Sequence, residues 1–249
     1  MTRITIVTAS YNASQTIEGA IASVRGQTHD QIEHIVIDGG STDGTAEIVA
    51  RHTDHLAYWV SEKDKGLYAA LNKGLRVATG DYVGTLGADD ELADPDVIAA
   101  IARECERTGC DCCYGDLIIV DSQRPDRVTR RWRSGSYRPG KFRWGWMPPH
   151  LALFIRRDLF EKLGGYRLDM RISADYELML RFIHGNNLTC AYVPKTIVRM
   201  RAGGLSSRGL GSRIRQFRED VRAWKVNGYS WGVVSVILKK LAKLRQFMA

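Results

Sequence analysis

Across the first 120 residues, short apolar runs alternate with stretches of helical period, and this alternation limits the fold more than any other feature of the chain. Runs at 4–8, 32–37, 56–60, 81–86 and 112–120 have strand length. Between them, Ile17, Ala20, Ile21 and Val24 recur on one helical face, and so do Leu67, Leu71 and Leu75. Ile98, Ile101, Ala102 and Cys105 mark a further buried face. Ser41, Thr42 and Asp43 supply capping groups for one helix, and Asp94-Pro95 opens another. Gly80 stands where a left-handed helix C-cap is expected. Strand and helix in strict alternation predict an α/β fold, a Rossmann-like and mainly parallel central sheet flanked by helices.

Beyond residue 121 the pattern loosens. A basic strand is expected at 127–133, an aromatic loop at 137–149, a strand at 150–155 and helices at 158–163 and 174–184. An extended run at 188–200 leads to a glycine-rich loop at 203–211, and two helices close the sequence. The expected organisation is one domain over 1–207 with a basic helical tail over 208–249.

The apolar content, 44% of 249 residues, is enough for a full core. No stretch approaches the roughly 18 apolar residues that a bilayer-spanning helix needs. Residues 1–7 are too short and polar for a signal peptide, so a cytoplasmic protein is expected. The five cysteines, at 105, 110, 112, 113 and 190, are odd in number and clustered, which argues against a disulfide framework. Their spacing lacks a zinc-type pair, and reduced residues in an apolar strand are expected. The formal charge of +8 comes from arginines at 124–143 and 199–222 and from late lysines. No stacking platform or groove-reading motif accompanies it, so phosphate-bearing substrates or anionic lipid fit better than nucleic acid.

In open α/β sheets, ligands bind beyond the carboxyl ends of the strands. Here the polar clusters fall at those ends: Ser10-Tyr11-Asn12, Asp38, residues 62–66, and Asp89-Asp90. Four consecutive strand ends therefore converge on one rim.

These residues carry a resemblance. Thr8-Ala9-Ser10-Tyr11-Asn12, residues 36–45 around Asp38-Gly39-Gly40-Ser41, residues 61–68, Leu71-Asn72-Lys73-Gly74, Ala88-Asp89-Asp90 and Ala174-Asp175-Tyr176-Glu177-Leu178 occur in the order found in family 2 glycosyltransferases. The chain resembles that family over residues 3–206, and most closely its small bacterial members of exopolysaccharide and O-antigen assembly. The resemblance implies the glycosyltransferase-A fold, a nucleotide-diphosphate sugar donor and inversion at the transferred sugar. It also implies a divalent cation, Mg²⁺ or Mn²⁺, and a saccharide or polyprenyl-linked saccharide acceptor at the cytoplasmic membrane face.

By the same resemblance, Asp90 is the metal ligand and Asp89 contacts ribose or sugar. Tyr11 stacks on the base and Thr8 offers its backbone to it. Asp38 accepts a hydrogen from the base, which favours uracil or thymine. Lys65 reaches the nucleotide or its diphosphate. Asp175, at a helix start that favours an ionised carboxylate, is the general base, with Glu177 as second candidate. His150 matches a position often held by His, and the loop from Met200 to Ser206 resembles the family's late glycine loop. A diphosphate held in a low-dielectric cleft needs compensation, and a hard cation on carboxylate oxygens provides it.

Two rival readings are a nucleotidyltransferase and a non-catalytic carbohydrate- or nucleic-acid-binding protein. The first wants a glycine-rich basic phosphate loop after the first strand, where this chain has Ser10-Tyr11-Asn12-Ala13. Asp90 and Asp175 count against the second. In the tail, Trp231, Val234, Ile237, Leu238, Leu241, Leu244 and Met248 fall at helical spacing, with Lys239, Lys240, Lys243 and Arg245 among them. That composition suits a helix lying in an anionic membrane surface, or equally one packed on the catalytic domain.

Overall fold

The computed structural model describes residues 1–203 and 209–245. Strand β1 (Ile4–Ser10) lies at the sheet centre, parallel to β2 (Ile32–Asp38) on one side and β4 (Tyr82–Gly87) on the other. β3 (Tyr58–Ser61) extends the parallel set beyond β2. Alternate side chains serve opposite layers, as the two-residue strand period requires. Ile4 and Ile6 face an apolar cluster with Val97, Ile98 and Ile101 of α4 (Val97–Thr108). Val7, Ile35 and Ile37 face a second cluster with Tyr68 and Leu71 of α3 (Leu67–Val77).

Helix α1 (Ile17–Arg25) buries the four residues its spacing predicts. Other local expectations change. The buried face of α3 is Tyr68, Ala70, Leu71 and Gly74, while Leu67 is exposed. Gly80 is not a left-handed cap, since α3 ends in an extended Ala78. A Cβ on Gly80 would stand 2.6 Å from Thr5 Oγ1, so close packing on β1 is what requires glycine there. Asp96, not Asp94, precedes the first turn of α4, and Asp94 instead accepts the Asp96 N–H at 2.9 Å. Ser41 and Asp43 tie loops together ahead of α2 (Thr45–Ala50), and Asp43 also accepts the Thr45 N–H at 3.1 Å across a left-handed Gly44, so it supplies the expected capping group.

Past β4 the sheet becomes mixed. β8 (Leu153–Arg156) runs antiparallel to β4 and also to the start of β6 (Cys112–Val120). β7 (Val128–Trp132) takes over the same edge of β6 farther along. β9 (Cys190–Arg201) lies parallel along its other edge. A two-residue strand unforeseen from sequence, β5 (Glu91–Leu92), pairs antiparallel with the end of β9 and pins the acidic turn. The thiols of Cys105, Cys110 and Cys113 gather within 4.8 Å of one another in the core, where the end of α4 meets β6.

The second layer holds α5 (Asp158–Leu163) and α6 (Ala174–Met179), the latter continuing into a π turn at Leu180–Gly185. Helices α7 (Gly209–Val226) and α8 (Gly232–Arg245) are not a detached tail. Trp224 is fully buried in one cluster with Tyr176 and Phe182, and its indole N–H donates to the Tyr176 hydroxyl at 2.9 Å. A buried aromatic of this size stabilises by about 3–5 kcal/mol against Ala. Lys239 and Asp220 form an ion pair of 2.7 Å with side chains 6% and 2% exposed. The Lys239 ammonium also lies 3.6 Å from the Tyr176 ring centroid.

Of the two orientations open to α8, this docking leaves most of the apolar strip outward. Ser235, Val236 and Lys239 face inward, while Trp231, Val233, Val234, Ile237 and Leu241 are about half exposed. Met248 lies outside the described residues.

Candidate active site

The carboxyl ends of β1 and β2 are stitched into one surface. Asn12, in the left-handed region at φ 49°, donates its N–H to Ser41 Oγ at 2.8 Å and accepts the Thr42 N–H at 3.0 Å. Asn is among the few residues that adopt this conformation readily. The exchange leaves Tyr11 67% exposed on the rim. Asp38 is fully buried. Its carboxylate accepts from the hydroxyls of Ser10, Ser41 and Ser61 and from the N–H groups of Gly40 and Ser41, at 2.5–3.2 Å. Burial works against its charge, but the bonds from Ser41, Ser61 and Ser10 hold its pKa below the usual value. Five donors fill the lone-pair sites that a carboxylate offers. The side chain expected to accept from a base is therefore turned inward, where it fixes three loops.

Another carboxylate stands by the rim. A Cβ on Gly39 would meet Asp64 Oδ2 at 3.1 Å and the Tyr11 ring at 3.4 Å. The bare glycine thus leaves a slot flanked by an aromatic face and an acceptor. Asp64 is held by the Gly66 N–H, which donates to its other oxygen at 2.7 Å. Lys65 is exposed on the same loop. Thr8 lies away from the rim, because β1 runs two residues farther than its apolar run suggests. Paired on both sides and fully buried, Thr8 meets His34 Nε2 through its hydroxyl at 3.0 Å.

At the end of β4, Asp89 is exposed and Asp90 is 4% exposed. Asp89 Oδ1 and Asp90 Oδ2 converge above Gly87, where a Cβ would collide with both. Asp90 Oδ1 accepts the Arg201 N–H at 2.9 Å, and the Arg201 guanidinium pairs with Glu91 at 3.1 Å. Burial, reinforced by Asp89, pushes the Asp90 carboxyl up to about 8 against the pull of Arg201. Two carboxylate oxygens, one from a buried group short of positive charge, make a donor set that suits a hard divalent cation. Arg201 begins the late loop; its residues 204–206 lie outside the described residues.

Asp175 occupies the first turn of α6. His150 Nδ1 stands 3.2 Å from Asp175 Oδ2. The Tyr68 hydroxyl lies 3.1 Å from Asp175 Oδ1 and 2.7 Å from the Ile172 carbonyl, so its single hydrogen is shared between them. Burial, and then the charge of Asp175, raise the Tyr68 pKa far above its usual value and keep the phenol protonated. The approach to α6 is fixed from the C-terminal part of the chain. Glu219 of α7 accepts the N–H groups of Arg171, Ile172 and Ser173 at 2.8–3.1 Å. Glu177 is no alternative to Asp175, because it is fully buried and both its oxygens are bound by the Arg181 fork at 3.0 Å.

Thr85 of β4 lines one small cavity with His150, Tyr166 and Asp175. Asp89 and Asp90 lie four and five residues beyond it, just past the end of the same strand. Sequence reasoning assigned no role to Tyr68 or Asp64, although both fall inside the quoted run 61–68. Glu219 had no signal at all.

Residues 5–164 match the family described as Glycosyl transferase family 2. An uncharacterized glycosyltransferase of Mycobacterium tuberculosis is 34% identical over 180 residues, covering 72% of this chain and 68% of that one. Among solved structures, the mannosyltransferase PcManGT from Pyrobaculum calidifontis, in complex with GDP-Man and Mn²⁺, aligns with TM-score 0.70 and 21% identity. That alignment covers 99% of this chain and 72% of the other. S. aureus TarS 1-349, in complex with UDP-GlcNAc, aligns with TM-score 0.70 and 15% identity, over 90% and 66% of the two chains. At these identities the two structural likenesses establish the fold alone.

Proposed function

The chain belongs to glycosyltransferase family 2 and has the glycosyltransferase-A fold, and from that premise we propose that it moves a sugar with inversion from a nucleotide-diphosphate donor to a hydroxyl of a saccharide acceptor. The observation that carries this reading is a pair of carboxylate sets tied to one strand: Asp89 and Asp90 converge just past the end of β4, and Thr85 of β4 lines a small cavity with His150 and Asp175 of α6. Each suits one half of the reaction.

On the donor side, Tyr11 stacks on the base and Asp64 accepts from its ring N–H, which favours a uridine or thymidine diphosphate sugar. Asp38 holds the Gly39–Ser41 backbone under the base, and Thr8 supports it from within the sheet. Lys65 offers its charge to the diphosphate. Asp89 contacts the ribose or sugar, and Asp90 with Asp89 would hold Mg²⁺ or Mn²⁺. When bound, such an ion neutralises the diphosphate and stabilises it as a leaving group. The solved relatives in complex with UDP-GlcNAc and with GDP-Man and Mn²⁺ support this side of the reading.

On the acceptor side, Asp175 takes the proton of the acceptor hydroxyl as its oxygen bonds to the anomeric carbon. The bond from that carbon to the donor phosphate oxygen breaks on the opposite face, and the nucleoside diphosphate leaves with the electron pair. His150 and Tyr68 hold the two Asp175 oxygens in place.

No described helix is long and apolar enough to cross a membrane. The exposed strip Trp231, Val234, Ile237 and Leu241, with exposed Lys240 on the same helix and exposed Arg213, Arg215 and Arg218 on α7, supports peripheral attachment to an anionic membrane face. A polyprenyl-linked acceptor would be met there at high local concentration.

The test is a screen of UDP-, dTDP- and GDP-sugars with Mn²⁺ or Mg²⁺, reading thermal stabilisation and release of nucleoside diphosphate. A UDP- or dTDP-sugar that does both is the expected result. Pyrophosphate release from a nucleoside triphosphate would instead indicate a nucleotidyltransferase. Binding of saccharides without any donor turnover would indicate a non-catalytic protein.

A further inference from the structure

A cleft of about 310 Å³ lies between the end of β7, the turn at 144–147 and α8. That volume is at the lower end of ligand pockets, which run from roughly 300 to 1,000 Å³. Its lining includes Arg131, Arg133, Lys239, Lys243, Trp144 and Trp146, and no carboxylate. Asp220 neutralises Lys239. Among the described residues, no carboxylate pairs with Arg131, Arg133 or Lys243. Burial, then the charges of Lys239 and Arg130, push the Lys243 ammonium down to about 8 against the opposing pull of Asp220 and Asp175. Trp144 is 75% exposed, a large aromatic surface left uncovered beside these charges.

The cleft adjoins the proposed chemistry. The Lys239 ammonium sits over Tyr176, the residue after Asp175. Asp175 and Asp220 are both within electrostatic reach of Lys243. Gly145, at φ +80°, packs so closely on α8 that a Cβ would strike the Lys239 backbone. The chain then continues through Met147, Pro148 and Pro149 to His150, so one segment forms both the cleft wall and the partner of Asp175.

A concave surface with unpaired cations focuses positive potential on what enters it. Arginine forks bind phosphate oxygens with two bonds at once, and indoles cover a sugar face or an isoprenoid. We propose that this cleft is the acceptor subsite, and that it binds a phosphate or diphosphate carried by the acceptor saccharide. The proposal rests on the reading of the chain as a transferase with Asp175 as its base. The same chemistry serves a lipid-linked diphosphate or a water-soluble sugar phosphate.

The experiment titrates tryptophan fluorescence with inorganic pyrophosphate and with farnesyl diphosphate, in chelator so that neither can bind through a cation at Asp89 and Asp90. The full chain is compared with Arg131→Gln/Arg133→Gln and with Lys243→Gln. The arginine variant alters exposed side chains, so it keeps the test valid if the Lys243 variant is unstable. UDP binding with Mn²⁺ is measured separately on all three proteins. The expected result is saturable diphosphate binding that weakens at least about tenfold in the variants, with UDP binding unchanged. Farnesyl diphosphate binding tighter than pyrophosphate assigns the anion to a lipid carrier, and equal binding assigns it to a soluble acceptor. No saturable binding, or binding indifferent to both variants, overturns the proposal. Failure of the unaltered chain to bind any of UDP, dTDP and GDP with Mn²⁺, with diphosphate binding as expected, would sink the transferase reading and leave the anion site standing.

Discussion

His150 Nδ1 lies 3.2 Å from Asp175 Oδ2, so the carboxylate proposed as general base has an imidazole on one oxygen and the Tyr68 phenol on the other. A carboxylate held at both oxygens keeps its orientation while the acceptor hydroxyl approaches. Asp175→Asn is expected to retain donor binding and to lower turnover by about a hundredfold or more. His150→Ala is expected to cost less, since it removes a holder and not the proton acceptor. Steady-state kinetics with pH profiles check both. If His150→Ala falls as far as Asp175→Asn and shifts the acid limb, the imidazole is the base and Asp175 orients it.

The convergence of Asp89 and Asp90 above Gly87 predicts metal dependence. Chelator should abolish turnover, and Mn²⁺ or Mg²⁺ should restore it. Asp90→Ala should weaken metal-dependent donor binding, as read by calorimetry with UDP in the presence and absence of Mn²⁺. Gly87→Ala should do the same, because its Cβ would occupy the point where the two carboxylates meet. Full turnover in chelator would mean that cationic side chains alone compensate the diphosphate.

Helix α8 presents two distinct faces, and substitutions on them should differ. Lys239→Ala leaves Asp220 buried and unpaired, with one oxygen already lacking a hydrogen-bond partner. The expected loss of stability is about 3–5 kcal/mol, seen as a lower denaturant midpoint. Truncation after Asn227 should be as damaging or worse. Val234→Ser/Ile237→Ser/Leu241→Ser alters only the exposed face and should leave the midpoint nearly unchanged. It should nevertheless abolish co-sedimentation with vesicles rich in anionic lipid, binding that high salt also weakens. A full-length chain that stays in the supernatant at low salt would exclude membrane attachment.

The fold should weaken on acidification through His34. Burial pushes its imidazole from 6.5 down to about 4. The unfolded chain therefore takes up a proton near pH 6.5 that the folded chain refuses until about pH 4. Stability is fully present above pH 6.5 and is lost as pH falls through that window, by about 3 kcal/mol in all. Glu33 and Asp38 are both held below their usual pKa values and act in the same sense at lower pH. Thermal midpoints measured from pH 7 to pH 4.5 should fall in the native chain and fall less in His34→Gln, which can keep a bond to Thr8. Parallel curves would show that another group carries the acid sensitivity.

The sequence by itself determined the elements whose signal is local. Ile17, Ala20, Ile21 and Val24 turn one face of α1 to the core because helical spacing leaves them nowhere else to go. The strand ends at Ser10, Asp38, Ser61 and Gly87 share a rim because parallel strands joined by helices carry their carboxyl ends to one side. Asp89 and Asp90 were placed just past a strand end by the same logic, whereas Asp175, singled out by the family resemblance, opens a helix where the sequence expected one. What only the tertiary structure decided were relationships between segments far apart in the chain. Asp38 turns inward because hydroxyls from three different segments converge on it. Glu219 fixes the approach to Asp175 from more than forty residues away. The orientation of α8 was the least legible, because both of its faces offer something to bury. The exposed strip supplies apolar area, while the inward face supplies Val236 and a lysine with a buried carboxylate and an aromatic ring to meet. Periodicity locates the faces of a helix, and only the partner across the interface selects which of them is covered.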